Sequence, residues 1–112
     1  MKYYLLIFIF FLLFIPDIVL GQDAETMQKR MLKKIEDSLA LTSLESLKIE
    51  LVNKSIHAKK MAVRQTHKEQ FDSLQYNIQR IENTRDSLYK LVLPENKYSL
   101  YIQKKKVLLT NN

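Results

Sequence analysis

Thr42 and Glu45 stand three residues apart in "LTSLES" (41–46), and His57 and His67 stand ten apart further along. The first spacing supports local chemistry. A Thr hydroxyl at a helix start can accept the backbone N–H three residues on, and a Glu there can reach back to the Thr N–H. Such a capping box contributes roughly 1 kcal/mol. The second spacing suits no metal on a helix, and no H-E-x-x-H, Cys or carboxylate cluster accompanies it, so a metal held by His57 or His67 would be held weakly. No nucleophile stands beside a base, no Gly-rich loop could cradle a phosphate, and no paired carboxylates mark a cleft. The expectation is a non-catalytic chain without a cofactor.

What remains is a set of cations: Lys33, Lys34, Lys59, Lys60, Arg64, Lys68, Arg80 and Arg85. Met61 and Tyr76 are interspersed among them and could offer adaptable apolar contact. Together they could form a surface that attracts acidic, partly apolar segments. Each cation taken singly reads better as a solvated helix face, the basic face as a whole reads equally well either way, and Glu50–Lys54 and Lys68–Asp72 have the i,i+4 spacing of helix pairs. The pI of about 9.5 raises nucleic acid as a partner. Interleaved acidic residues and the lack of a recognition motif argue against it.

The elements that must position these residues begin after the N-terminus. Residues 1–21 open with "MK", run apolar from Tyr3 to Ile15, and break at Pro16-Asp17 before "IVLGQ". This is the pattern of a secretory signal peptide with cleavage after Gly21. The apolar core is short of the about 20 residues that a membrane span needs, although Ile18–Leu20 could extend an uncleaved anchor. A membrane is a partner only in that case. The expected location is periplasmic or secreted. Removing residues 1–21 takes one Lys and one Asp, so the net charge stays at +6. It also takes four of the five Phe and the lone Gly. An exported domain this small often carries disulfides, but the chain has no Cys, so stability must come from helix packing, self-association or a partner.

Residues 22–112 read as one all-helical domain, since they hold no Gly and one Pro among many Leu, Lys, Glu and Gln residues. A first helix is expected over about 24–39, with Met27, Met31, Ile35 and Leu39 on one face. A second segment has no breaker from Thr42 to Pro94. Its stripe of Ile49, Val52, Ile56, Val63, Phe71, Leu74, Ile78, Ile81 and Leu88 joins in steps of three or four through Lys60, His67 and Arg85. One long helix over 43–92, roughly 75 Å, is the favoured reading. The alternative is a hairpin with its corner near 64–66, where Thr66 and Glu69 could form a second capping box and the Val63–His67–Phe71 steps stutter. Met27, Met31 and Phe71 fit the stripes and are expected to pack, whereas Arg85 is expected to snorkel. A third helix is expected over about 94–108, opened by Pro94, with Tyr98, Tyr101 and Ile102 on its apolar face and a frayed "LLTNN" tail. A bare stripe on a long helix needs cover, and a homodimer is the expected assembly.

A second cap-like element, "VLPEN" at 92–96, follows the first by about fifty residues. With "LTSLE" at 41–45, and the Lys-, Arg-, Gln- and Met-rich helical stretch between, the chain resembles the Spy/CpxP-like family of periplasmic proteins over about residues 38–106. That family carries paired Leu-Thr-x-x-Gln motifs. Leu41 and Thr42 match the first motif, and Glu45 replaces its Gln with the capping chemistry kept. In the second, Val92 and Leu93 replace Leu and Thr, Pro94 and Glu95 match, and Asn96 replaces Gln. The resemblance implies a dimeric helical cradle that binds unfolded or aggregation-prone envelope proteins without ATP, with some relatives tied to stress responses. A structural or interaction protein of the envelope, bound to one fixed mate, is the alternative.

Overall fold

The computed structural model describes residues 22–110, so the expected signal peptide or anchor lies outside the described residues. Among the described residues there are four helices: α1 (Gln22–Leu39), α2 (Ser43–Thr66), α3 (Phe71–Val92) and α4 (Glu95–Leu108). None of them is long and apolar enough to cross a membrane.

The α1–α2 corner is built by local chemistry. Ala40 takes a left-handed backbone with φ 52°, and the Leu41 N–H donates to the Glu36 carbonyl at 3.2 Å. This six-to-one bond is the Schellman closure of a helix, here made without the usual Gly. Thr42 then caps α2. The Glu45 N–H donates to Thr42 Oγ1 at 3.2 Å, and the Thr42 N–H donates to Glu45 Oε1 at 2.9 Å. The expected capping box is therefore formed in both directions.

The central segment is not one helix. It folds back at 67–70, where the Gln70 N–H donates to the His67 carbonyl at 3.0 Å. The corner falls on the stutter in the stripe, a few residues beyond the 64–66 of the hairpin alternative. Thr66 is not a cap: its hydroxyl donates to the Ala62 carbonyl at 2.9 Å, within the last turn of α2. Gln70 opens α3 with no side-chain cap at all. The gain lies elsewhere. Breaking the helix lets the two halves of one apolar stripe bury each other, and each large apolar side chain so covered contributes roughly 1.5–3 kcal/mol.

The helices run up-down-up-down, with α2 against α3, α1 against α2 and α4, and α4 against α3. This closes a four-helix bundle with short connections. Its core is Ile35 and Leu39 from α1, Ile49, Val52 and Ile56 from α2, Ile81 and Tyr89 from α3, Leu93, and Tyr101 and Leu108 from α4. The C-terminal end is held rather than frayed as far as Thr110. Leu108 is buried, and Lys34 donates to the carbonyls of Val107 and Thr110 at 3.2 and 2.6 Å. Residues 111–112 lie outside the described residues.

Candidate functional site

The bundle is unevenly filled. Buried side chains of α2 end at Ile56 and those of α3 begin at Ile81, so no side chain from 57 through 80 is fully buried. This distal half of the hairpin is an arm. Its inner side keeps Val63, Leu74 and Ile78 half-buried. Phe71, expected to pack on the stripe, is 71% exposed instead, because α2 has already ended at Thr66 and nothing faces it. Tyr76 is 66% exposed, as its position off the stripe suggests. The Arg80 guanidinium lies over the Tyr76 ring, 5.9 Å from its centroid, a cation–π contact one helical turn along. Met27 also departs from its expected packing and is exposed near the start of α1, while Met31 is half-buried against the core.

Of the cations expected on a binding surface, Lys59, Arg64, Lys68 and Arg80 are exposed on this arm, and Met61 is half-buried beside them. Glu69 and Asp72 are the acidic residues at its tip, so the arm is net positive. The helix pair expected between Lys68 and Asp72 has no helix to hold it, since Lys68 lies in the corner and Asp72 in the first turn of α3. Lys33 and Lys34 lie on α1, away from the arm. Lys33 pairs with Asp37 at 3.4 Å, and Lys34 holds the C-terminal carbonyls.

Lys60 and Arg85 are corrections to the expected surface. Both turn inward at the root of the arm and share the Glu82 carboxylate. Arg85 Nη1 donates to its two oxygens at 2.9 and 3.2 Å, and the Lys60 ammonium meets the same group from α2. The Arg85 side chain is 4% exposed, so it does not snorkel: its Nη1 pairs with Glu82 within the fold, while its Nε finds no partner among the described residues. Burial, with the charges of Arg85 and Arg64 nearby, pushes the Lys60 ammonium down to about 8. Burial and the cations Arg64, Lys60 and Arg85 likewise depress the His57 imidazole. The Glu50–Lys54 pair is present at 3.1 Å.

A polar seam continues from there through the core. The Tyr89 hydroxyl donates to Asn53 Oδ1 across the hairpin. The Tyr89 and Tyr101 rings meet with centroids 4.5 Å apart. The Tyr101 hydroxyl then donates to Asp86 at 2.8 Å, and Lys105 closes on the other Asp86 oxygen at 2.9 Å. Burial raises both phenols well above their usual range, so both act as neutral donors.

The residues of the two short motifs meet at the opposite end of the bundle. Leu41 and Val92 are half-buried against the core, Thr42 and Glu45 form the cap, and Pro94 is the N-cap of α4. Glu95 and Asn96 are exposed. Sequence reasoning missed the residue that links them. Lys97 donates to Glu45 Oε1 at 2.6 Å and to the Ala40 carbonyl at 2.8 Å. The Lys97 and Thr42 bonds hold the Glu45 carboxyl below the usual carboxylate range. The reading also missed a second apolar exposure. Leu44 and Leu47 are exposed on α2 with Leu51 half-buried beyond them, and Leu91 is exposed on α3. Compared with known protein families, curated proteins and solved structures, the chain matches none.

Proposed function

We propose that this chain is a non-catalytic, ATP-independent binder of non-native or aggregation-prone protein segments in the cell envelope. Its contact surface is the distal arm of the α2–α3 hairpin. The observation that carries this reading is the arm's composition and burial. Phe71 and Tyr76 stand in solvent among Lys59, Arg64, Lys68 and Arg80, on a part of the molecule with no fully buried side chain. Cations attract acidic segments at long range, and the two rings then hold apolar segments through weak contacts. The resemblance to Spy/CpxP-like proteins supports the same reading, with export by residues 1–21. Lys60 and Arg85 are not part of the contact surface in this proposal, because Glu82 holds both.

The test is light scattering from a chemically denatured client, with and without the purified protein, across a salt series. Suppression of aggregation at near-stoichiometric amounts without ATP, weakening as salt rises, is the expected result. No suppression for several unrelated clients at low salt overturns it.

One observation favours a second reading, a helical interaction module with a fixed mate or a second copy. Leu44 and Leu47 are exposed on α2 with the half-buried Leu51 next along the same helical spacing, and an apolar stripe of this kind marks a docking face. Sedimentation of the purified protein over a concentration range tests the homodimer form of that reading.

A further inference from the structure

The α2–α3 register places three nitrogens without a partner in one stretch of the hairpin. Asn53 meets Tyr89 and Lys60 meets Glu82, and the same offset sets His57 level with Arg85. Among the described residues, the buried side-chain atoms without a hydrogen-bond partner are Asn53 Nδ2, His57 Nε2 and Arg85 Nε. All three are nitrogens, and all three lie within this stretch of the hairpin. Asn53 is 2% exposed and Arg85 4%. Native interiors seldom leave such groups unpaired.

Charge points the same way. Lys60 and Arg85 share the single carboxylate of Glu82. Arg64 acts on both Lys60 and His57, and among the described residues Glu82 is the carboxylate that pairs with Lys60 and Arg85. Asp86, the next acid on α3, is occupied by Tyr101 and Lys105. The seam is therefore short of both acceptors and negative charge. A groove of about 240 Å³ between α1 and α2, lined by Glu25, Gln28, Lys29, Leu32, Glu50, Asn53 and Lys54, leads to its Asn53 end. The two acids on the rim do not bar an anion, since Glu25 is paired with Lys29 at 3.7 Å and Glu50 with Lys54 at 3.1 Å.

We propose that the hairpin holds a small oxyanion of the phosphate or sulfate type, between Asn53 and His57 of α2 and Arg85 of α3. The bound oxygens accept from Asn53 Nδ2, Arg85 Nε and His57 in its Nε2–H form, and the ion's charge offsets the excess of Lys60 and Arg85 over Glu82. Water could accept those bonds but would leave the charge excess in place. Charge-assisted bonds to buried donors are the stronger kind, which favours the anion.

The chain has only two histidines, so proton NMR of the full chain reads the site directly. Inorganic phosphate is titrated against chloride at constant ionic strength, with sulfate and acetate as parallel arms. The expected result is a saturable shift of the His57 ring signals, with those of His67 unmoved, and a matching rise in thermal midpoint. The pKa of His57 rises on binding, because the ion counters the cations that depress it. Acetate binding more weakly than phosphate or sulfate separates an oxyanion site from one for carboxylate side chains; acetate binding more tightly overturns the assignment. Glu82→Gln removes the one counter-charge and is expected to bind phosphate roughly tenfold more tightly. His57→Leu removes a donor without breaking a bond and weakens binding several-fold. Equal shifts at both histidines, or none at His57 through tens of millimolar phosphate, overturn the proposal. So does a His57→Leu protein that keeps the full phosphate response.

Discussion

Lys97 Nζ stands 2.6 Å from Glu45 Oε1, the same oxygen that accepts the Thr42 N–H. One carboxylate thus closes the α2 cap and fastens α4 to it, and the Lys97 donation to the Ala40 carbonyl adds the end of α1 to the joint. Lys97→Met is expected to lower the urea midpoint at neutral pH. The pH dependence has a definite sign. The folded Glu45 carboxyl is held below its ordinary value of 4.5, so its contribution is complete above that value and is lost as pH falls through the folded one. Urea titrations of the two proteins from pH 7 to pH 3 are expected to converge at the acid end. A constant gap would mean that Lys97 acts by packing alone.

Ala40 sits at φ 52°, where a Cβ is unfavourable. Ala40→Gly is expected to stabilise the protein by about 0.5–1 kcal/mol, the steric relief outweighing the added freedom of the unfolded chain. For a domain of this size that is a rise of roughly 4 °C in Tm, measurable by circular dichroism. A fall in Tm would show that the strain is already relieved by the corner's hydrogen bonds.

Lys60 makes an unusual prediction for a paired lysine. Its folded value of about 8 lies below the ordinary 10.5, so between these values the unfolded chain holds more protons at this site. Stability therefore rises with pH across that window. From about pH 10 the buried phenols of Tyr89 and Tyr101, raised by burial, pull the other way, because only the unfolded chain gives up their protons readily. Denaturant midpoints at pH 7.5, 8.5 and 9.5 are expected to climb, and Lys60→Gln is expected to flatten the climb.

The arm is expected to separate binding from stability. Phe71→Ser with Tyr76→Ser removes exposed rings only and should change stability by less than about 0.5 kcal/mol. It is expected to abolish most of the aggregation suppression. Lys59, Arg64 and Lys68 changed together to Glu should remove its salt-sensitive part, leaving what the rings contribute. Full suppression by either variant would move the contact surface elsewhere, with the Leu44–Leu47–Leu51 face the next to test.

Local rules carried much of the architecture. The lack of Gly and the single Pro94 in residues 22–112, with the three-and-four spacing of apolar residues, imply helices at about the observed positions, because propensity and periodicity act within a few residues. The Thr42–Glu45 box was readable for the same reason: both of its bonds close within one turn. Three-dimensional packing decided what spacing could not. The stripe from Ile49 to Leu88 is compatible with one long helix or with a hairpin, and only the burial of Ile56 and Ile81 in one core selects the fold-back at 67–70. That choice then redistributed the candidate site. Phe71 fits the stripe yet ends in solvent, because burial depends on what faces a residue. Lys60 and Arg85 read as surface cations yet end beside Glu82, because their partner is 22 residues from one and three from the other. Lys97 carried no signal at all, since the atoms it joins, in Ala40 and Glu45, come near it only when α4 returns along α1.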